Sequence, residues 1–254
     1  MSPPGLHGDD PWNHWRVEEA CREAWPAASE EVWGGWLLRR SGGRTRRINS
    51  ANPLPGARQS GPHAISSIEK YYRDHGQVPT IRITDFASEP SAELDRRGYS
   101  TEGETRTIRA RFDQQGDWPA EGVEVANEPR PEWLDLRDRL AGDPIIFREI
   151  VRAIRFPKAF AHTRASGRTV AIAYGVLVDG LLVIESVATH PDFRGRGLAR
   201  RTVGRLLNWA RQEGAVGACL QVLADNRPAL AAYAALGFDI DLYSYRYRLA
   251  PDLR

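Results

Sequence analysis

Hydrophobic and polar positions along the chain change period several times, and each change marks an element. A helical period covers Asn13 to Ala24 and stops at Pro26. Val32–Arg40 and Arg44–Ser50 read as strands joined across Ser41-Gly42-Gly43, and the Pro- and Gly-rich residues 51–62 read as a loop. Ala64–Asp74 places Ile65, Ile68 and Tyr72 on one helical face, Thr80–Phe86 alternates as a strand, Ser91–Arg97 is a short helix stopped by Gly98, and Thr105–Phe112 alternates again. Residues 113–122 read as a linker and Val123–Ala126 as a short strand. Glu132–Leu140 and Pro144–Ile154 follow as helices, the second with Ile146, Ile150, Val151 and Ile154 at core spacing. Asp179-Gly180 between Thr169–Val178 and Leu181–Thr189 is the strongest hairpin signal. The helix Leu198–Gln212, strand Ala215–Ala224, helix Pro228–Leu236 and strand Phe238–Leu249 complete the chain.

One part of this pattern occurs twice. Ala92-Glu-Leu-Asp-Arg-Arg-Gly98-Tyr99 and Ala231-Ala-Tyr-Ala-Ala-Leu-Gly237-Phe238 each join a short helix to an alternating strand, and each follows a longer helix and a strand. The echo predicts two domains of similar fold, over 12–115 and 123–254, after a loose lead-in at 1–11.

Composition narrows the function classes. The 254 residues, 41% apolar and 27% charged, are enough for a buried core. Lys and Arg number 35 against 33 Asp and Glu, a net charge of +2, which gives no footprint for nucleic acid or a membrane surface. The basic residues are arginine except Lys70 and Lys158. Cys21 and Cys219 are far apart and outside any C-x-x-C, so neither a disulfide framework nor a cysteine zinc site is expected, and no metal is called for. The most apolar stretch, Val170–Ala188, is interrupted by Asp179, Gly180 and Glu185. The expectation is a soluble cytoplasmic protein.

The chemistry concentrates in Val187-Ala-Thr-His-Pro-Asp-Phe-Arg194-Gly-Arg-Gly197-Leu-Ala199, which ends a strand, turns and opens a helix. The first N–H groups of a helix lack intrahelical partners, and with the helix dipole they form an anion site that needs no lysine. Gly195 permits a positive φ and Gly197 close approach of a phosphate. The stretch is neither a Walker A loop, which ends in G-K-[ST], nor G-x-G-x-x-G.

About thirty residues on comes Asp225-Asn226-Arg-Pro-Ala-Leu-Ala-Ala-Tyr233-Ala-Ala-Leu-Gly237-Phe238. With it the sequence resembles the Gcn5-related N-acetyltransferase (GNAT) family. Its R-x-x-G-x-G/A motif is matched by Arg194, Gly197 and Ala199, and its N-x-x-A-x-x-x-Y-x-x-x-G-F motif by Asn226, Ala229, Tyr233, Gly237 and Phe238. The resemblance is clear over 123–250 and weak before it: the loop Asn52–Gly61 lacks the first motif, and Leu94 stands where the echo places Tyr233. It implies an α/β fold built on a mixed sheet, with two GNAT-like domains in tandem, the first degenerate and either walling the acceptor pocket or supporting the second.

The resemblance further implies acetyl-CoA as co-substrate, lying between splayed strands 181–189 and 215–224. The stretch Arg194, Gly195, Arg196, Gly197, Leu198 and Ala199 would hold its pyrophosphate. The backbone of Val187, Ala188 and Thr189 would pair with the pantetheine arm, Asn226 would hydrogen-bond it, and Tyr233 would sit by the sulfur as the acid for the departing thiolate. Arg196, Arg200 and Arg201 either touch phosphate or simply cover a solvated helix face. An ordinary amine is only ~0.1% neutral at pH 7, so a base or water chain must remove its proton. Glu185, a lone acid in an apolar strand, is the candidate base, or else faces solvent or pairs with an arginine; His190 is an alternative.

The expected activity is acetyl transfer to a small-molecule or peptide amine by direct attack in a ternary complex, by a monomer or homodimer. The competing readings are a different acyl donor, an oxygen acceptor, or a non-catalytic CoA-binding scaffold.

Overall fold

A computed structural model describes residues 10–55, 62–87, 90–112 and 117–251. Most of the expected lead-in, the linker residues 113–116 and most of the Asn52–Gly61 loop therefore lie outside the described residues. The chain runs α1 (His14–Ala24), β1 (Ser29–Trp33), β2 (Trp36–Arg40), a 3-10 turn (Arg46–Ile48), β3 (Ser50–Pro53), α2 (Pro62–Asp74), β4 (Thr80–Thr84), α3 (Ser91–Arg96) and β5 (Ser100–Arg111). The second half runs β6 (Val123–Ala126), α4 (Pro131–Ala141), α5 (Pro144–Ala153), β7 (Lys158–Ala165), β8 (Arg168–Val178), β9 (Leu181–Thr189), a 3-10 turn (Pro191–Phe193), α6 (Leu198–Gln212), β10 (Gly217–Leu223), α7 (Arg227–Ala234) and β11 (Ile240–Leu249).

Among the described residues, eleven strands join one mixed sheet, in the order β1-β2-β3-β4-β11-β5-β10-β9-β8-β7-β6. This order repeats one plan twice. Each half has an antiparallel hairpin (β2–β3, β8–β9), a parallel pair across a helix (β3–β4, β9–β10), and a short helix before a last strand. The last strands are exchanged: β11 pairs with β4, β5 pairs with β10, and β5 and β11 pair antiparallel at the centre. The two short helices end alike. Tyr99 N–H donates to the Leu94 carbonyl (3.0 Å) and Phe238 N–H to the Tyr233 carbonyl (3.1 Å). Gly98 (φ 73) and Gly237 (φ 90) supply the left-handed residue each ending needs.

Three local expectations differ from the structure. The first hairpin turns at Gly34-Gly35 (φ 52 and 87) rather than at 41–43, since two consecutive positive φ values give the turn that matches strand twist. Arg44–Ser50 is not a strand; a 3-10 turn occupies it, and β3 lies at 50–53, where a loop was expected. β7 has no strong strand signature (Lys-Ala-Phe-Ala-His-Thr-Arg-Ala), yet it pairs along its length with β8, because an interior position in the sheet outweighs weak intrinsic propensity.

The sheet packs apolar side chains on two faces. On one, α1, α4 and α5 bury Val17, Trp133, Phe147 and Ile150 against Phe160, Tyr174 and Val183. On the other, α6 and α7 bury Val203, Leu206, Leu207 and Tyr233 against Ala218, Leu220 and Ile184. At the junction of the halves, Arg82 of β4 forms a buried ion pair with Glu18 of α1, which also accepts from the Tyr243 hydroxyl of β11 (2.5 Å). Burial opposes charge on Glu18, but Arg82 and Tyr243 prevail and hold its carboxyl below the usual carboxylate range.

Candidate active site

The parallel strands β9 and β10 pair only from Leu181↔Gly217 to Ile184↔Leu220. Beyond that point each turns to its outer neighbour. Glu185, Ala188 and Thr189 continue with β8, while Gln221, Val222 and Leu223 continue with β5. A bulge in β9, with Ser186 and Val187 facing the single residue Ala173, sharpens the divergence. Ser186 takes φ 51, an uncommon conformation for a non-glycine residue. The sheet thus opens a fork whose inner edges carry unpaired backbone from 185–189 and 221–223.

At the mouth of the fork, His190 caps the 3-10 turn through its ring, which accepts from Asp192 N–H at 3.4 Å. Gly195 (φ 73) and Gly197 (φ 69) then turn the chain into α6. A Cβ at either glycine would meet nothing within 4 Å, so φ and not packing selects glycine there. Gly197 gives α6 no side-chain cap, and among the described residues the N–H groups of 195–200 have no acceptor in the chain. Leu198 is buried against Val170 and Phe193, leaving only its amide for the mouth. Arg194, Gly195, Arg196 and Gly197 are exposed, and Ala199 is half-buried. The Arg194 guanidinium reaches back to the Thr189 carbonyl (3.4 Å), Arg196 to the Asp192 carbonyl (3.2 Å) and Arg201 to the Glu121 carbonyl (3.3 Å).

Across the fork, Asn226 caps α7, its Oδ1 accepting from Ala229 N–H at 3.3 Å, while its amide nitrogen has no acceptor among the described residues. Tyr233 is buried on α7 against Phe238, with no hydrogen bond to its hydroxyl among the described residues. Burial above all, with the negative charge of Glu185 added, raises its pKa well above the phenol range, so it remains a proton donor.

Glu185 lies on the opposite face of β9, with Leu181 and Val183, and is 5% exposed. Its Oε1 accepts from Arg47 Nη1 at 2.6 Å, and Oε2 has no donor among the described residues. Arg47 comes from the first half of the chain and stacks over Trp25 at 4.2 Å. Burial works against its charge, but the Glu185 carboxylate outweighs that and keeps it protonated.

Two cavities meet at Arg47 and Thr45. One, of about 350 Å³, is lined by Arg44, Arg46, Thr105, Gln221, Leu223, Tyr245 and Tyr247 as well. The other, of about 280 Å³, reaches Trp25, Arg137, Phe147 and the bulged Ser186. The first half therefore lines both cavities. Sequence reasoning missed Arg47, Gln221, Tyr245 and Tyr247. Arg47 and Glu185 are 138 positions apart, and no local pattern links them.

A mixed sheet parted between two parallel strands, with a helix presenting free amides at the opening, is the architecture of a GNAT acetyltransferase. The family described as "Probable histone acetyltransferase Rv0428c C-terminal" matches residues 15–248, and the chain belongs to it. The chain is 24% identical over 247 residues to the uncharacterized N-acetyltransferase YobR of Bacillus subtilis, covering 92% of this chain and 97% of that protein. Its fold is that of a GCN5-related N-acetyltransferase from Kribbella flavida (TM-score 0.69, 18% identity, 93% of this chain and 95% of the other). It is also that of a tandem GNAT protein from the clavulanic acid biosynthesis pathway (TM-score 0.62, 16% identity, 92% and 87% covered). The protein is an acetyltransferase whose two halves repeat one plan of strands and helices. Among the described residues no helix is long and apolar enough to cross a membrane.

Proposed function

We propose that the protein moves the acetyl group of acetyl-CoA onto a primary amine by direct attack in a ternary complex, with the second half carrying the co-substrate chemistry. The observation that carries this reading is the fork beyond Ile184 and Leu220 with the unengaged amides of 195–200 at its mouth. Those amides and the α6 dipole fit a diphosphate. The unpaired edge of Val187, Ala188 and Thr189 fits an extended amide-bearing arm, which Asn226 Nδ2 is free to meet from the facing side.

The thioester supplies an activated carbonyl. The amine nitrogen forms a bond to that carbon, the carbon–sulfur bond breaks, and the products are an amide and the free thiol. Two protons must be managed. The Oε2 of Glu185 takes one from the attacking amine, while Arg47 holds the carboxylate in place through Oε1. The Tyr233 hydroxyl gives one to the leaving sulfur. A backbone N–H of the bulge at Ser186–Val187 would stabilise the developing oxyanion.

The test is amine-dependent release of free thiol from acetyl-CoA by the full chain, with acetylated product confirmed by mass. Turnover that requires the amine supports the reading. Acetyl-CoA binding without turnover across a broad amine panel overturns it.

A further inference from the structure

The larger cavity has an unusual wall for an enzyme whose acceptor is a cation in water. Arg44, Arg46 and Arg47 line it, and its lining includes no carboxylate. Two of these charges are answered from behind: Arg47 by Glu185, and Arg46 by Glu102, which does not line the cavity. Arg44 is exposed, and its guanidinium makes no ion pair or hydrogen bond among the described residues; only its backbone N–H is engaged, with Asp143 at 3.3 Å.

Two further donors on the wall lack partners. The Tyr247 hydroxyl is buried without a hydrogen bond, on a residue 6% exposed. The Gln221 side-chain nitrogen is buried and unpaired, although its oxygen accepts from Tyr245 at 3.2 Å. A buried polar atom without a partner is destabilising, so a ligand that satisfies it gains accordingly. Burial chiefly raises the Tyr247 pKa, which keeps its hydroxyl a donor. Gln221 also places this wall at the reacting end of the fork, because it is the first β10 residue past the last β9 pair.

We infer that the acceptor is an amine that also carries an anionic group, a carboxylate or a phosphate, which Arg44, Tyr247 and Gln221 hold in the cavity beside Arg47. This deepens the acetyltransfer reading and rests on it. Arginine presents a planar donor fork that matches either oxyanion. A polyamine or a lysine-rich peptide would meet uncompensated positive charge on the same wall.

The experiment compares matched amines with the full chain and acetyl-CoA. L-glutamate and phosphoethanolamine are the anionic arms and separate carboxylate from phosphate. Ethanolamine, putrescine, spermidine and a lysine-rich peptide are the neutral and cationic arms. Acetyl-CoA affinity is measured separately by calorimetry. The expected result is a kcat/KM at least tenfold higher for one anionic arm than for ethanolamine. Arg44→Glu removes that advantage, Arg44→Lys recovers part of it, and both variants keep wild-type acetyl-CoA affinity. Faster turnover of the cationic arms, an advantage unchanged by Arg44→Glu, or no anionic arm turned over while acetyl-CoA binds, each overturns the inference. Absence of acetyl-CoA binding overturns the underlying reading, and the inference falls with it.

Discussion

The two halves share one plan and use the same positions differently. In the second half β9 and β10 hold four residue pairs and then part, and Tyr233 on the short helix is buried against Phe238. In the first half β3 and β4 share a single parallel pair, Ala51↔Ile81, and side chains leave a cavity of only about 10 Å³ at Arg39, Asn52 and Arg82. Arg39 is buried there and donates to Glu30, to the Arg47 carbonyl (2.8 Å) and to the Trp25 carbonyl (2.7 Å). The amide of Asn52 folds back onto the Ser50 carbonyl (2.8 Å). Leu94, fully buried in the core with Ile65, Ile68 and Tyr72, stands where the second half has Tyr233. One copy retains an open fork. The other has closed its own and sends Arg44–Arg47 into its partner's cavities. Duplication with strand exchange makes this possible, because β5 and β11 bind the halves into one sheet.

The sharpest way to separate the halves is to remove chemistry from one and packing from the other. Glu185→Gln keeps the shape of the side chain but removes the acceptor for the amine proton. Turnover should fall on the order of a thousandfold with acetyl-CoA affinity unchanged, as read by thiol release and calorimetry. Arg82→Met acts on the junction instead. It leaves Glu18 buried without its counter-charge, so denaturant melts should show a loss of about 3–5 kcal/mol.

The same pair sets a pH dependence. Because the Glu18 carboxyl is held below its unfolded value, its stabilisation is present above that value and disappears as pH falls through the folded one. Glu18→Gln should therefore flatten the acid limb of stability against pH; a limb of unchanged slope contradicts the assignment. At the matched helix positions, Leu94→Ala should cost about 2–5 kcal/mol of stability. Tyr233→Phe should leave the melt nearly unchanged and lower turnover on the order of a hundredfold. A similar phenotype for the two substitutions would erase the distinction between the halves.

Much of the second half was legible in the sequence because its signals are local. Asp179-Gly180 set the β8–β9 hairpin, and the structure gives both residues positive φ (46 and 80). The Gly195–Gly197 turn was likewise written in neighbouring residues. What was not legible is long-range. The exchange of β5 and β11 was hidden because either strand, alternating in the same way, fits beside β4 or β10. The Arg47–Glu185 pair exists only once the sheet has formed. The first hairpin was misplaced because Gly34-Gly35 lay within an apolar run and the Ser41-Gly42-Gly43 turn competed with it.

Titration calorimetry of acetyl-CoA into wild type and Gly197→Val asks whether backbone amides at the start of α6 hold the co-substrate. A valine at φ 69 is strained, and the peptide must rotate to accept it. Wild type should bind tightly and saturably, and the variant should lose at least about a hundredfold in affinity, roughly two to three kcal/mol, with an intact circular dichroism spectrum. Equal affinity in the two proteins would contradict it.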